Sequence, residues 1–170
     1  MNDPLAIAFA NTRSSVARDR IATVDQFREW ARSWSSFAGF LPGIRPSALP
    51  EIQVHRDATQ HVLHRLADGK SPSEEELDRA TRCGLAEAAF RLRPARGRIA
   101  IDGDAPGGVA HLLGRAVVDF LLSPQAAEVR RCQGVDCRKV FISHRADRRW
   151  CDSRICGNRA RVAAHARRRS

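Results

Sequence analysis

The sequence has no tyrosine and no long apolar stretch. No run approaches the roughly 20 apolar residues that a helix needs to cross a bilayer. Residues 1–4 also lack the basic lead and apolar core of a secretory signal peptide. These absences predict a cytoplasmic protein with no membrane partner. Its 170 residues suffice for one domain of ordinary size plus a small module.

Signatures of catalysis are missing as well. The sequence contains no Gly-x-Ser-x-Gly elbow and no recognisable pair of nucleophile and base. Gly107-Gly108 does not continue as a phosphate loop. Asp102-Gly103-Asp104 lacks the remainder of a calcium-binding loop. The sequence therefore predicts that the protein is not an enzyme.

Positive charge is confined to one end of the chain. Residues 1–129 carry 16 Lys+Arg and 16 Asp+Glu, whereas residues 130–170 carry 13 Lys+Arg and 3 Asp+Glu. The net charge of +10 therefore belongs entirely to the C-terminal segment. A neutral body with a strongly basic end is typical of a scaffold that carries a polyanion-binding module.

Four of the five cysteines lie in the same basic segment, in the pattern Cys132-x4-Cys137-x13-Cys151-x4-Cys156. Two short loops of this kind, joined by a longer connection, deliver four thiolates to a tetrahedral Zn²⁺. Disulfides are disfavoured in a cytoplasmic protein, and so short a charged segment has little core in which to bury cysteines. The pattern predicts one zinc ion, which is structural because four thiolates leave no open coordination position.

The residues around the cysteines predict a knuckle, a hairpin and a helix. Val140-Phe141-Ile142 reads as one strand and Arg148-Arg149-Trp150 as its return strand. Gly157 precedes residues 158–169, which are rich in alanine and arginine and favour a helix. Such an arrangement resembles a treble-clef or ribbon-like zinc finger.

A set of polar residues in this segment is predicted to contact nucleic acid. On a continuous helix, five of its members would share one face, and no acidic residue follows Asp152. Two further arginines would lie beside the zinc on the hairpin, whereas Trp150 is expected to pack over the metal site. The candidate set is Arg148, Arg149, Arg154, Asn158, Arg159, Arg161, His165 and Arg168.

The first 125 residues are predicted to form a helix-rich domain with a small β-hairpin. Residues 5–12 fit either a buried strand or one helical turn, and Ser71-Pro72-Ser73 followed by three glutamates marks a helix start. Residues 89–93 and 98–102 alternate apolar and charged positions, as a hairpin does, and a helix is expected from about Val109 to Leu122. The fold class is α+β, with domains at residues 1–125 and 126–170.

Several remaining polar residues are interpreted as structural. Cys83 is expected to be a small buried residue outside the zinc site. His61 and His64 lie one turn apart on a predicted helix, but no carboxylate near them is evident from the sequence, so a polar helix face is favoured over a metal site. Asn11 and Thr12 are expected to be buried hydrogen-bonding residues that fix the N-terminal segment.

Two stretches resemble a known bacterial family. Arg148-Arg149-Trp150-Cys151 followed by Cys156-Gly157-Asn158-Arg159 looks like the CGNR zinc finger, and residues 5–12 resemble the start of the ABATE domain that precedes this finger. The family is described as stress-induced transcription regulators. The resemblance implies a DNA-binding protein with one zinc ion.

Our leading hypothesis from the sequence is a zinc-containing transcription regulator that binds DNA through its C-terminal finger. An RNA-binding zinc module is the second hypothesis, although the shortage of aromatic residues makes single-strand recognition less attractive. A third is a protein-interaction module with a structural zinc, and a small-molecule-sensing N-terminal domain is also open. Dimerisation is plausible for a regulator that reads two half-sites.

Overall fold

The protein is described by a computed structural model that covers residues 3–87, 90–95, 98–103 and 105–169. These residues form six α-helices and four short strands, so the helix-rich α+β class predicted from the sequence is confirmed. In chain order the elements are α1 (Leu5–Ala10), α2 (Val24–Ala31), α3 (Leu49–Ala67), α4 (Glu74–Leu85), β1 (Phe90–Ala95), β2 (Arg98–Gly103), α5 (Ala105–Leu121), β3 (Val129–Arg131), β4 (Val140–Ile142) and α6 (Asn158–Arg167). No helix in the covered ranges is both long and apolar enough to cross a membrane.

Helices α2 and α4 begin at capping boxes. The Thr23 hydroxyl accepts a hydrogen bond from the Gln26 amide, and the Gln26 side chain accepts one from the Thr23 amide. Ser73 and Glu76 form the same reciprocal pair at the start of α4. Because each box satisfies two backbone donors that lack a partner within the helix, local chemistry determines where these helices start.

The predicted hairpin is present as the antiparallel pair β1–β2. Phe90 lies opposite Gly103 and Ala95 opposite Arg98, while the turn at 96–97 lies outside the described residues, as does Asp104. Helix α5 starts at Ala105, before the predicted Val109, because a proline in the first helical turn costs no intrahelical hydrogen bond.

Two clusters of buried apolar side chains form the core of the N-terminal body. The first is rich in aromatic rings and joins α1 and α2 to the turns between residues 35 and 48; it includes Phe9, Phe27, Trp30, Phe37 and Phe40. The second joins α1 and α3 to α4 and α5, and it also takes in Val129 of β3 and Val140 of β4. The finger's first two strands are therefore part of the body's core.

Helices α4 and α5 cross at two glycines. A Cβ atom placed on Gly84 would lie 2.1 Å from the carbonyl carbon of Gly114, and one placed on Gly114 would lie 2.3 Å from the Gly84 nitrogen. The two backbones touch at this crossing, so only glycine fits at either position.

The strand pairing in the finger differs from the prediction. Residues 140–142 do form a strand, but β4 pairs antiparallel with β3, with Val129 opposite Ile142 and Arg131 opposite Val140. The predicted return strand at 148–150 is not a strand. The partner of β4 precedes the first cysteine instead of lying between the second and the third, because Val129 gains burial in the body's core there.

Candidate metal centre and the basic surface beside it

The four predicted ligands converge on one point. The Sγ atoms of Cys132, Cys137, Cys151 and Cys156 all lie within 4.8 Å of one another. Cys151 Sγ lies 3.8 Å from Cys137 Sγ and 3.7 Å from Cys156 Sγ. A tetrahedron with zinc–sulfur bonds of about 2.3 Å has sulfur–sulfur edges of about 3.8 Å, so the thiols are already spaced for Zn²⁺.

A tight turn between β3 and β4 supplies the first two cysteines. The Cys132 amide donates to the Lys139 carbonyl (3.0 Å) and the Cys137 amide to the Gly134 carbonyl (3.0 Å), which closes the knuckle. A Cβ on Gly134 would lie 3.2 Å from Cys156 Sγ, so a larger residue there would press on the opposite ligand.

The second pair of cysteines flanks the start of a helical segment. Cys151 lies just before Asp152, whose carboxylate accepts hydrogen bonds from the amides of Arg154 (2.7 Å) and Ile155 (3.0 Å). This cap opens a π-helical turn, Ser153–Gly157, that places Cys156 against the other ligands and leads into α6. The finger thus has the predicted knuckle and helix, but its hairpin pairs β4 with β3 and not with residues 148–150.

The polypeptide also polarises the thiols. The Cys151 amide donates to Cys132 Sγ at 3.4 Å. Burial acts to raise the pKa of Cys132, but hydrogen bonds from the amides of Cys151 and Gly134 and from two neighbouring thiols outweigh burial and lower it. Burial and the adjacent thiols raise the pKa of Cys151. Burial and the thiols of Cys132 and Cys137 raise the pKa of Cys156 to about 11, although its hydrogen bond with Cys151 acts to lower it. The thiols of Cys151 and Cys156 therefore resist ionisation unless a cation compensates the charge, which fits a Zn²⁺ ligand set.

Little besides the metal holds the finger's interior together. Its cluster of buried residues consists of Phe141 and two of the cysteines, with Trp150 and the other two packed against it. Trp150 therefore packs over the site, as predicted. Since a three-residue cluster cannot stabilise a fold by itself, the four cysteines form one structural zinc site.

Hydrogen bonds attach the N-terminal body to the strand that follows the knuckle. Asn11 donates to the Val140 carbonyl (2.8 Å) and accepts from the Val140 amide (2.9 Å), as a neighbouring strand would. The sequence predicts that Asn11 fixes the N-terminal segment. The structure shows that it fixes β4 to that segment, whereas the buried Thr12 hydroxyl bonds locally to the Phe9 carbonyl.

Arg138 is the second point of attachment. Its carbonyl lies 2.8 Å from His64 Nε2, and its Nε donates to the side chain of the buried Gln60 (3.1 Å). The Gln60 amide group in turn donates to the carbonyls of Ala10 and Arg13. Sequence reasoning misses Gln60 because a glutamine on a helix carries no signal of a long-range contact.

The basic surface, by which we mean the eight predicted contact residues, is exposed throughout. Three of its arginines are engaged within the finger. Arg148 donates to the carbonyls of Trp150 and Cys151 and lies 4.6 Å from the centre of the Phe141 ring. Arg149 lies 5.2 Å from the centre of the Trp150 ring, and Arg161 donates to the Ser153 carbonyl at 3.3 Å. These contacts hold the three guanidinium groups beside the metal centre.

One part of the predicted helical stripe is wrong. Arg154 lies in the π-helical turn and not on α6, so it does not keep the α-helical phase of the residues after it. Asn158, Arg161 and His165 do lie on α6 with the predicted spacing, and Arg168 is the residue that ends this helix.

Helix α6 has no buried residue. Only Ala160 and Ala164 are partly covered, and even Val162 is 61% exposed. An ordinary surface helix buries an apolar stripe against its own protein. Helix α6 instead exposes its side chains, four of them Arg or His, on nearly every side.

The remaining sequence candidates stay outside the metal centre. Cys83 is half-buried on α4, where burial raises its pKa, and it is absent from the cysteine cluster. His61 has a carboxylate partner that the sequence does not reveal, since its Nε2 lies 2.6 Å from Glu76 Oε1 across the α3–α4 pair. His64 contacts the finger, and His55 is buried against Phe9.

Two families of known proteins match the chain in sequence. The ABATE family, described as "Putative stress-induced transcription regulator", matches residues 3–124. The CGNR zinc finger matches residues 128–169. Neither is a family of enzymes. No curated protein matches the chain.

Proposed function

We propose that this chain, which belongs to the ABATE family and ends in a CGNR zinc finger, is a transcription regulator that binds duplex DNA through its basic surface. The observation that carries the proposal is that the metal centre and the surplus positive charge coincide. Contacts within the finger hold the guanidinium groups of Arg148, Arg149 and Arg161 beside the zinc site. A rigid array of arginines suits the regular phosphates of a duplex.

The exposure of α6 supports the same conclusion. An isolated helix shorter than about 12 residues is marginal in water, and α6 has ten residues and no buried side chain. A polyanion that neutralises its arginines would stabilise it, because the segment carries no acidic residue of its own beyond Asp152. Asn158 and Arg161 on one face of a helix also suit base edges in the major groove.

RNA and acidic proteins are the alternative partners. Single-stranded RNA is usually held by stacking on aromatic rings, but both aromatic rings of the finger, Phe141 and Trp150, pack against the metal centre. An acidic protein would not require the regular spacing of charges along α6. Duplex DNA therefore fits the exposed groups best.

The family description extends the proposal to the rest of the molecule. We propose that the N-terminal body receives a stress signal or a small effector, and that the protein acts in the bacterial cytoplasm, where the chromosome lies. A homodimer would let two fingers read two half-sites. Sedimentation of the intact protein with and without duplex tests whether it forms this homodimer.

The direct test is a salt titration of duplex binding by the full chain, followed by fluorescence anisotropy. Each phosphate contact adds about 0.9 to the slope of log affinity against log salt. Arg161→Ala and Arg168→Ala are each expected to weaken binding and to lower this slope. Arg45→Ala is the matched control, because Arg45 is an exposed arginine of the body with no ion pair to a described residue.

Three outcomes would contradict the proposal. Undetectable binding at low salt would exclude a nucleic-acid ligand, and an unchanged slope in both finger variants would exclude this surface. Structured RNA that displaces the duplex at equal concentration would make RNA the ligand instead. Zinc content of each variant, measured by elemental analysis, shows whether the finger is still folded.

A further inference from the structure

A cleft separates the N-terminal body from the finger. It has a volume of about 510 Å³, and one wall is the loop that follows α1, with Ser14, Ser15 and Arg18. The finger forms the other wall, which includes Lys139 and Arg159 together with the metal ligands Cys137, Cys151 and Cys156. We call this space the junction cleft. Residues of both matched families line it.

Basic residues outnumber acidic residues in the lining of the cleft. Arg18, Lys139 and Arg159 form no ion pair with any residue that the structure describes, and the two arginines are exposed. Two acidic residues, Asp136 and Asp152, also line the cleft. The Asp152 carboxylate already accepts two backbone amides, so part of its charge is offset within the finger.

The loop that bears Arg18 is held rigidly by the body. Arg56 on α3 is 1% exposed and donates to both carboxylate oxygens of Asp19, at 2.7 and 2.8 Å. Asp57 binds Arg56 and also Arg13 at the other end of the loop. A buried ion pair adds little net stability, because desolvation cancels most of the attraction, but it fixes geometry.

The loop is also tied to the finger. The Ser14 amide donates to the Arg18 carbonyl (3.0 Å), which closes the loop, and the Ser14 carbonyl accepts from the Arg138 amide (2.9 Å). Arg138 follows the zinc ligand Cys137 directly. The backbone of Arg18 is therefore held in a fixed position relative to the metal centre, although it belongs to the other family's part of the chain.

We propose that the junction cleft is a phosphate subsite, in which Arg18 of the N-terminal body and Lys139 and Arg159 of the finger bind one phosphodiester of the DNA that α6 contacts. This inference rests on the proposed function and extends it, because the DNA interface then spans both parts of the protein. A loop fixed at both ends avoids the entropy cost of ordering a free loop, so only the Arg18 side chain has to be ordered when phosphate binds.

The experiment compares the full-length zinc-loaded protein with Arg18→Ala in the same salt titration. The variant is expected to bind duplex about five- to tenfold more weakly near 0.1 M salt, with a slope lower by about 0.9. Arg18→Lys is expected to recover most of the slope. The Arg45→Ala control should match the wild type. Lys139→Ala, which lies in the finger's part of the lining and outside the basic surface, tests the cleft independently should Arg18→Ala fail to fold.

A free phosphate compound could use the same chemistry, so calorimetry with inorganic phosphate and with pyrophosphate forms a second arm. The proposal is supported when these anions bind weakly and are displaced by duplex. Tight, Arg18-dependent binding of either anion that duplex does not compete away would overturn it. Wild-type affinity and slope in Arg18→Ala, with binding weakened in Arg161→Ala, would overturn the subsite and leave the DNA proposal intact. Absence of duplex binding by the wild type would overturn both.

Discussion

The body and the finger of this protein are stabilised by different forces. The body buries two clusters of large apolar side chains, among them four phenylalanines and a tryptophan in the first. The finger buries Phe141 and two cysteines, and α6 buries nothing. Burial of apolar surface stabilises the body, whereas metal–thiolate bonds stabilise the finger.

The border between these two regimes does not coincide with the start of the finger. Val129 and Val140, in the strands that carry the knuckle, lie in the body's second cluster, and Asn11 binds β4 as a strand would. The knuckle is therefore anchored to the apolar core on one side and to zinc on the other. The metal-dependent part begins at the cysteines themselves.

Removal of zinc should produce the largest difference in stability between the body and the finger. Binding of a structural zinc contributes on the order of 10–16 kcal/mol, so a chelator or Cys156→Ser should abolish hydrogen-exchange protection in residues 132–139 and 144–169, whereas β4 should keep its protection because it pairs with β3 in the body's core. Protection in α3, α4 and α5 should remain, because their apolar contacts do not involve the metal. Exchange measured by mass spectrometry with and without chelator checks this.

The control for zinc removal is Cys83→Ser, which changes a cysteine outside the cluster and should leave one zinc per chain. Loss of protection throughout α3–α5 on chelation would show that body and finger unfold as one unit. The border drawn through β3 and β4 would then be wrong.

The converse experiment destabilises the body without touching the finger. In Gly84→Ala the new methyl group would meet the Gly114 backbone at 2.1 Å, so α4 and α5 must move apart. Overpacking of this kind costs about 1–3 kcal/mol or more. Guanidinium unfolding should show a less stable body that still binds one zinc. Arg79→Ala, on the exposed side of α4, should change stability by less than about 0.5 kcal/mol. Unchanged stability in Gly84→Ala would mean that this helix crossing is not rigid.

The sequence predicts those features that local chemistry determines. Ser73 and Glu76 specify a helix start by themselves, and the spacing of the four cysteines specifies a metal site. The fold class and the zinc ligands can therefore be derived from the order of the residues alone.

Features that depend on long-range contact cannot be derived in the same way. The partner of β4 is mispredicted because the choice between β3 and residues 148–150 depends on burial of Val129 in a distant core. The loop at Ser14–Arg18 carries no sequence signal, since its position beside the finger is set by Arg56 and Arg138, which lie 38 or more residues away from Arg18 in the sequence. The phase of Arg154 is mispredicted because a π-helical turn has no recognisable sequence pattern.

A smaller effect is expected at the contact that joins the two regimes. Asn11→Ala removes two hydrogen bonds and leaves the Val140 amide and carbonyl without these partners, which costs about 1–3 kcal/mol. Zinc content should stay at one per chain, while the Val140 amide exchanges faster. Asn158→Ala, an exposed asparagine on α6, is the matched control for stability. Unaltered exchange at Val140 would show that the apolar contacts alone anchor the knuckle.

The smallest effect concerns a titratable group inside the body. Burial lowers the pKa of His55, and this outweighs the hydrogen bond to the Ala80 carbonyl and the attraction of Glu51, which act to raise it. The unfolded chain therefore binds a proton more readily than the folded body, and stability falls as pH drops below about 6.5 toward the lower folded-state pKa. The loss amounts to no more than about 1.4 kcal/mol per pH unit for this one group. His55→Phe should flatten that part of the curve, whereas zinc release in acid would act through the cysteines and persist in the variant. Titration of the His55 ring followed by NMR distinguishes protonation of His55 from zinc release. A His55 pKa at or above 6.5 would show that water reaches the body around α3. The body would then be less completely buried than its apolar clusters indicate, and it would differ less from the finger.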